Sequence, residues 1–128
     1  MIRTAKAHWQ GNLKEGNGTL STQSGVLNQT NYSFKARFEE GQTGTNPEEL
    51  LAAAHAGCFT MWVSSELTKK GLNPISLDTT ASLTLENVVI TGTHLTITGS
   101  VKGISAEDFT AVVNDSSKNC IVSKALSF

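Results

Sequence analysis

Short alternating runs broken by glycine and asparagine fill the N-terminal part of the chain, a pattern that predicts strands joined by tight turns. Asn17-Gly18, between Leu13 and Leu20, suits a two-residue hairpin turn because both residues tolerate positive φ. Tyr32, Phe34, Ala36 and Phe38 alternate with Ser33, Lys35 and Arg37. That period of two predicts a strand with one apolar face, from which Arg37 points away.

A different pattern begins at Gly44-Thr45-Asn46-Pro47-Glu48-Glu49. Asn46 or Thr45 can cap a helix, Pro47 suits its first position, and two carboxylates favour the positive end of the helix dipole. From Leu50 to Val63 nearly every residue is apolar or small, which predicts a helix buried on most sides. The run is too short to span a membrane, and Lys69-Lys70-Gly71 followed by Asn73-Pro74 marks its end.

Leu77, Thr79, Ala81, Leu83 and Leu85 then alternate with polar residues, and Leu95, Ile97, Gly99 and Val101 repeat the alternation after Thr91-Gly92-Thr93. This predicts an antiparallel hairpin with one buried face. Ser105 to Asp108 resembles a capping box and opens a helix marked by Phe109, Val112 and Val113, running toward Lys118 with Cys120 at or just past its end. The order of strands, helix, hairpin and helix predicts the α+β class, and 128 residues without a linker or repeat predict one domain over 1–128.

Composition narrows the function classes. Ten Lys and Arg against eleven Asp and Glu leave a net charge of −1, which offers no attraction for nucleic acid or an anionic membrane. Small neutral substrates fit better. Two cysteines, Cys58 and Cys120, are too few for a disulfide scaffold, and the charged start Met1-Ile2-Arg3-Thr4-Ala5-Lys6 does not read as a secretory signal. A cytoplasmic setting with reduced thiols is therefore expected.

Cys58 lies in the middle of the apolar helix, where a free cysteine is ordinarily a small core residue. A second thiol near a helix junction opens the other reading, an attacking thiol and a resolving one, although spacing alone leaves Cys120 equally readable as a semi-exposed side chain. Arg37 is one of two arginines, and its guanidinium is either a solvated strand-face charge or a group of fixed donors for a thiolate and a peroxide. Glu48 fits the first helical turn on dipole grounds and could pair with Arg37. His55 reads as a hydrogen-bonded core histidine rather than a metal ligand, since no second ligand follows one turn later. Neither a Gly-x-Ser-x-Gly elbow nor a phosphate-binding glycine loop is present, and no metal or organic cofactor is expected.

Ala7-His8-Trp9-Gln10-Gly11, Ser21 to Gln29, Phe34 to Phe38 and Gly71 to Thr80 resemble the OsmC/Ohr family of peroxidases, in its OsmC-type branch. The most specific element is Asn46-Pro47-Glu48-Glu49-Leu50 followed by Ala52-Ala53-Ala54-His55-Ala56-Gly57-Cys58-Phe59. The resemblance implies an intertwined homodimer with antiparallel sheets wrapped around central helices, reducing organic hydroperoxides and, more slowly, hydrogen peroxide, in oxidative or osmotic stress. By motif it makes Cys58 the peroxidatic thiol, Cys120 the resolving thiol, Arg37 with Glu48 the activating pair, and a lipoyl-type or other dithiol the reductant. The family commonly has proline directly after the second cysteine, where this chain has Ile121, and most members continue through a further strand beyond the position of Phe128.

Glu48 and Cys58 stand ten residues apart, which on a helix is roughly 15 Å along the axis. One Arg37 does not easily serve both, so a site shared between two copies is expected. The apolar neighbours Phe59, Met61 and Trp62 lead us to expect a preference for bulky organic hydroperoxides. Two other classes stay open on the residues themselves: a dimer of the same fold that turns over poorly and acts as a stress or hydrophobic-ligand-binding protein, and a structural Cys58–Cys120 disulfide.

Overall fold

The computed structural model describes residues 1–41 and 43–127; the C-terminal Phe128 lies outside them. The chain divides into two compact units, Met1–Leu50 and Leu51–Phe128. The elements bear out the α+β class.

The first unit holds a three-stranded antiparallel sheet of β1 (Ala5–Gln10), β2 (Asn17–Thr22) and β3 (Thr30–Tyr32), in that order. Asn17-Gly18 is not its turn: Asn17 pairs with Gln10 and Gly18 with Trp9, inside the ladder. The connection is Gly11–Gly16, where Gly11 takes φ +96° and Asn12 accepts from Glu15 N–H through its side chain and from Gly16 N–H through its carbonyl. Gly18 is needed for close approach instead, because a Cβ there would come within 2.7 Å of Trp9 and 2.6 Å of Tyr32.

The expected strand through Phe38 stops at Tyr32. Ser33 accepts a hydrogen bond from Ala36 N–H and caps α1 (Phe34–Phe38), so the aromatic spacing read as period two is realised as Phe34 and Phe38 one helical turn apart. Local capping outcompetes the strand pattern here.

The long helix α2 (Pro47–Lys69) begins where expected, with Asn46 Oδ1 accepting from Glu49 N–H at 2.7 Å and Pro47 in the first turn. It ends with Leu72 N–H reaching back to Leu67 O across Gly71, which takes φ +78°. It is not buried on most sides. One stripe, His55, Phe59, Val63 and Leu67, is buried, while Ala53, Ala54, Gly57 and Met61 are exposed, Met61 at 76%.

In the second unit β4 (Pro74–Glu86) and β5 (Val89–Val101) form the hairpin. Its turn is Asn87-Val88, both at positive φ, rather than Thr91-Gly92-Thr93, which lie within β5. Burial alternates along β4 as the sequence requires, and Leu77, Leu95 and Ile97 pack against the α2 stripe. α3 (Ala106–Asn119) opens on the Ser105 cap, and Cys120 ends it while capping a last short helix, α4 (Ile121–Ala125), which the pattern did not reveal.

Leu67 is fully buried in this cluster. Leu67→Ala is expected to destabilise folding by about 2–5 kcal/mol, read from urea unfolding midpoints; a change near zero would mean that the stripe does not organise this unit.

Candidate active site

Cys58 lies half-buried on α2, and its Sγ accepts from Val122 N–H at 3.5 Å. Cys120 is fully buried, not semi-exposed, and its Sγ accepts from Ser123 N–H at 3.3 Å. These two N–H groups lie in the first turn of α4, where no intrahelical carbonyl is available to them. The start of one short helix thus presents successive donors to the two thiols. Ile121 occupies the first position of α4, where proline is ordinarily favoured, and Cys120 keeps its burial and its cap there with isoleucine.

His55 is the buried, hydrogen-bonded histidine expected from the sequence. Its Nε2 is 2.7 Å from Ser123 Oγ and its Nδ1 is 3.1 Å from Thr93 Oγ1. Burial lowers its pKa from the ordinary 6.5, because the imidazolium loses hydration there. Ser123 Oγ also lies 2.9 Å from Cys120 Sγ, so sulfur, hydroxyl and imidazole form one chain. Ser123 and Thr93 carry no sequence signal of their own; only the fold brings them to His55. Among the described residues no group of three or more His, Cys, Asp or Glu side chains is placed to hold a metal ion.

In the first unit Arg37 belongs to a helix, not to the polar face of a strand, and the expected pair with Glu48 forms. Arg37 Nε and Nη2 each lie 2.9 Å from Glu48 Oε1, which sets the guanidinium plane with one carboxylate oxygen. Glu48 Oε2 is buried and makes no hydrogen bond, and Nη1 is not engaged by the carboxylate. Thr45 Oγ1 donates to Glu49 at 2.8 Å and Asn46 Nδ2 to Ala36 O at 3.3 Å, tying the start of α2 to α1.

Beside the guanidinium is a mostly apolar cleft of about 260 Å³ lined by Trp9, Leu13, Tyr32, Phe34, Phe38 and Arg37. Arg37 stacks over the Phe38 ring, 5.4 Å from its centroid. Of the apolar neighbours expected around Cys58, Phe59 is buried in the core and also lines the cleft at His55, Trp62 packs partly buried against the core, and Met61 is exposed. Phe34 and Phe38 were visible as an aromatic pattern, but their role as a wall of the cleft beside Arg37 depends on their being helical.

Residues 39–128 match the family model described as OsmC-like protein. The chain is 46% identical to the protein named peroxiredoxin OsmC of Escherichia coli, over 97% of its own length and 89% of the relative's. A thiol peroxidase, the enzyme class expected from the sequence, is the class that this name gives the relative. Among solved structures, the organic hydroperoxide resistance protein OhrB of Bacillus subtilis superposes with a TM-score of 0.62 at 26% identity, over 95% of this chain and 89% of the other. An OsmC-like protein of unknown function from Vibrio cholerae shares the fold at a TM-score of 0.78 and 16% identity, over 99% and 94% of the two chains. With the matched model covering most of its length and a curated relative aligned almost end to end, the chain belongs to the OsmC-like protein family.

Proposed function

We propose that this protein, acting as one OsmC-like domain over 1–128, reduces organic hydroperoxides to alcohols through a two-thiol cycle, with hydrogen peroxide a slower substrate. The observation that carries the reading is the delivery of two free thiols, Cys58 and Cys120, to the adjacent N–H groups of Val122 and Ser123. The relatives named peroxiredoxin and organic hydroperoxide resistance protein point the same way.

The thiolate of Cys58 attacks the terminal oxygen of the hydroperoxide, the O–O bond breaks, and the alkoxide leaves and is protonated to the alcohol. Cys58 becomes a sulfenic acid, and Cys120 condenses with it to a disulfide and water. A lipoyl-type or other small dithiol reopens the disulfide, and both thiols then stay reduced in a compartment such as the cytoplasm. Arg37, aimed by Glu48, orients the peroxide and stabilises the leaving alkoxide, while the aromatic cleft beside it accepts the organic group.

The assembly we infer is a homodimer with shared sites. The exposed row Ala53, Ala54, Gly57 and Met61 on α2 leaves small and apolar surface for a second copy, and β1, in which only Trp9 is partly covered, leaves a further exposed strand. Antiparallel packing of two α2 helices would set Cys58 of one copy against Arg37 and Glu48 of the other. Neither nucleic acid nor membrane enters the cycle, and no helix among the described residues is long and apolar enough to cross a membrane.

The test adds equimolar cumene hydroperoxide to reduced protein, quenches within about a second, the timescale set by a median turnover of ~10 per second, and reads intact mass and free thiols. Wild type is expected to lose both thiols without gaining oxygen. Cys120→Ser is expected to complete one turnover, hold a sulfenic acid, and go on to irreversible oxidation with excess peroxide. Equal steady-state turnover of wild type and Cys120→Ser would overturn the two-thiol cycle, and survival of both wild-type thiols for minutes would overturn catalysis altogether.

A further inference from the structure

The chain from Cys120 through Ser123 to His55 and Thr93 has two fully hydrogen-bonded states that differ only in where protons sit. In one, the Cys120 thiol donates to Ser123 Oγ, the Ser123 hydroxyl donates to His55 Nε2, and His55 Nδ1–H donates to Thr93 Oγ1. In the other, His55 is an imidazolium donating to Ser123, and the Ser123 hydroxyl and N–H both donate to a Cys120 thiolate. Two short proton hops connect them, and no heavy atom has to move.

We propose that His55 is a positioning residue of the resolving step, taking the Cys120 proton through the Ser123 hydroxyl as Cys120 attacks the sulfenic acid on Cys58. This rests on the two-thiol cycle proposed above. The S–S bond forms as the S–O bond of the sulfenic acid breaks; the Cys58 sulfur is reduced and the Cys120 sulfur oxidised to the disulfide level. The proton held by His55 balances the departing hydroxide, so the products are disulfide and water and His55 returns to neutral.

The surroundings suit that role. His55 is neutral at neutral pH because burial lowers its pKa from 6.5, so Nε2 is free to accept. Around the cleft of about 360 Å³ that His55 lines, β5 adds His94 as a further titratable group, α3 adds neutral Asn114 and Ser117, and α4 adds Ser123. Among the described residues no Asp, Glu, Lys or Arg side chain lines it, and the hydrogen-bond partners of His55 are the neutral hydroxyls of Ser123 and Thr93, which stabilise its charged form less than a carboxylate would. The imidazolium is therefore short-lived, as a returning proton requires, and the cleft gives His55 a route to water.

The experiment mixes wild type, His55→Gln, Ser123→Ala and Ser123→Thr with equimolar cumene hydroperoxide. It follows sulfenic acid, by trapping with a dimedone-type reagent, separately from disulfide, across acid to mildly alkaline pH. In wild type, disulfide formation is expected to hold through neutral pH and to slow only below pH 6.5, as His55 takes a proton and can no longer accept one. In His55→Gln and Ser123→Ala it should be about tenfold slower at neutral pH, where an unassisted thiol is under about 10% ionised, rising with pH as for such a thiol and meeting wild type under alkaline conditions; Ser123→Thr should restore the wild-type profile. Should His55→Gln fail to fold, Ser123→Ala carries the comparison. A wild-type pH profile for disulfide formation in the folded variants would overturn the relay, whereas absence of any sulfenic acid on wild-type Cys58 would instead bring down the two-thiol cycle beneath it.

Discussion

Cys58→Ser is expected to lower peroxidase turnover by about 10⁴-fold or more, the scale on which removal of a covalent nucleophile is felt. The physical reason is the nucleophile itself. A serine hydroxyl is scarcely ionised at neutral pH, and its oxygen is a far poorer attacker of an O–O bond than a polarisable sulfur. The substitution is small, it falls on a half-buried position of α2, and the Val122 N–H that faces Sγ can donate to a hydroxyl as well. Folding should therefore survive, which a thermal melt beside the assay would establish. The assay is cumene hydroperoxide consumption with a lipoyl-type dithiol as reductant. Retention of more than about a tenth of the wild-type rate, a deficit of under ~1.4 kcal/mol in barrier, would remove Cys58 from the chemistry.

Arg37→Lys is expected to cost about 10²-fold in kcat/KM for organic hydroperoxides, comparable to losing one preorganised donor at a developing oxyanion. Ionisation cannot make a fast peroxidase alone. A free cysteine thiol is under about 10% ionised near neutrality, so complete ionisation raises the thiolate only about tenfold, and a more acidic thiol is also a weaker nucleophile. Positioning of the O–O bond and stabilisation of the departing alkoxide must supply the rest. Arg37 spends Nε and Nη2 on a single oxygen of Glu48, which holds its plane and leaves donors over for a ligand beside the aromatic cleft. Lysine keeps the charge and loses the fork.

The same variant reads the assembly. Mixing Arg37→Lys with Cys58→Ser and allowing the copies to exchange should restore activity above that of either alone, because a shared site in a mixed dimer joins the intact Cys58 of one copy to the intact Arg37 of the other. No gain on mixing, in a preparation shown by mass to contain mixed dimers, would place thiol and guanidinium in the same copy.

Much of the fold was legible residue by residue where the signal was local. Asn46-Pro47-Glu48-Glu49 begins a helix because its cap, fixed φ and charges all act within one turn, and Ser105 does the same for α3. The β4 alternation fixed which face is buried for the same reason, since the pleat has a period of two. Where two local signals competed, the pattern misled: Tyr32 to Phe38 satisfied both a strand and a capped helix, and Ser33 settled it. Asn17-Gly18 and Thr91-Gly92-Thr93 have turn chemistry but lie inside ladders, because cross-strand pairing over the whole length of the strands sets the register.

The site divides along the same line. Cys58, Cys120, Arg37 and Glu48 stood out as candidates through the family resemblance of the runs that hold them, and the Arg37 pair with Glu48, which the structure forms, could be anticipated. What the sequence determined by itself was therefore the inventory of reactive groups and the short-range elements that carry them. That Val122 and Ser123 offer their N–H groups to the two sulfurs, that Ser123 links Cys120 to His55, and that Trp9 and Tyr32 join Phe34 and Phe38 beside Arg37 was decided only by the tertiary structure. These contacts join residues far apart in the chain and otherwise unremarkable, and a hydrogen bond depends on tenths of an ångström that no spacing in a sequence encodes.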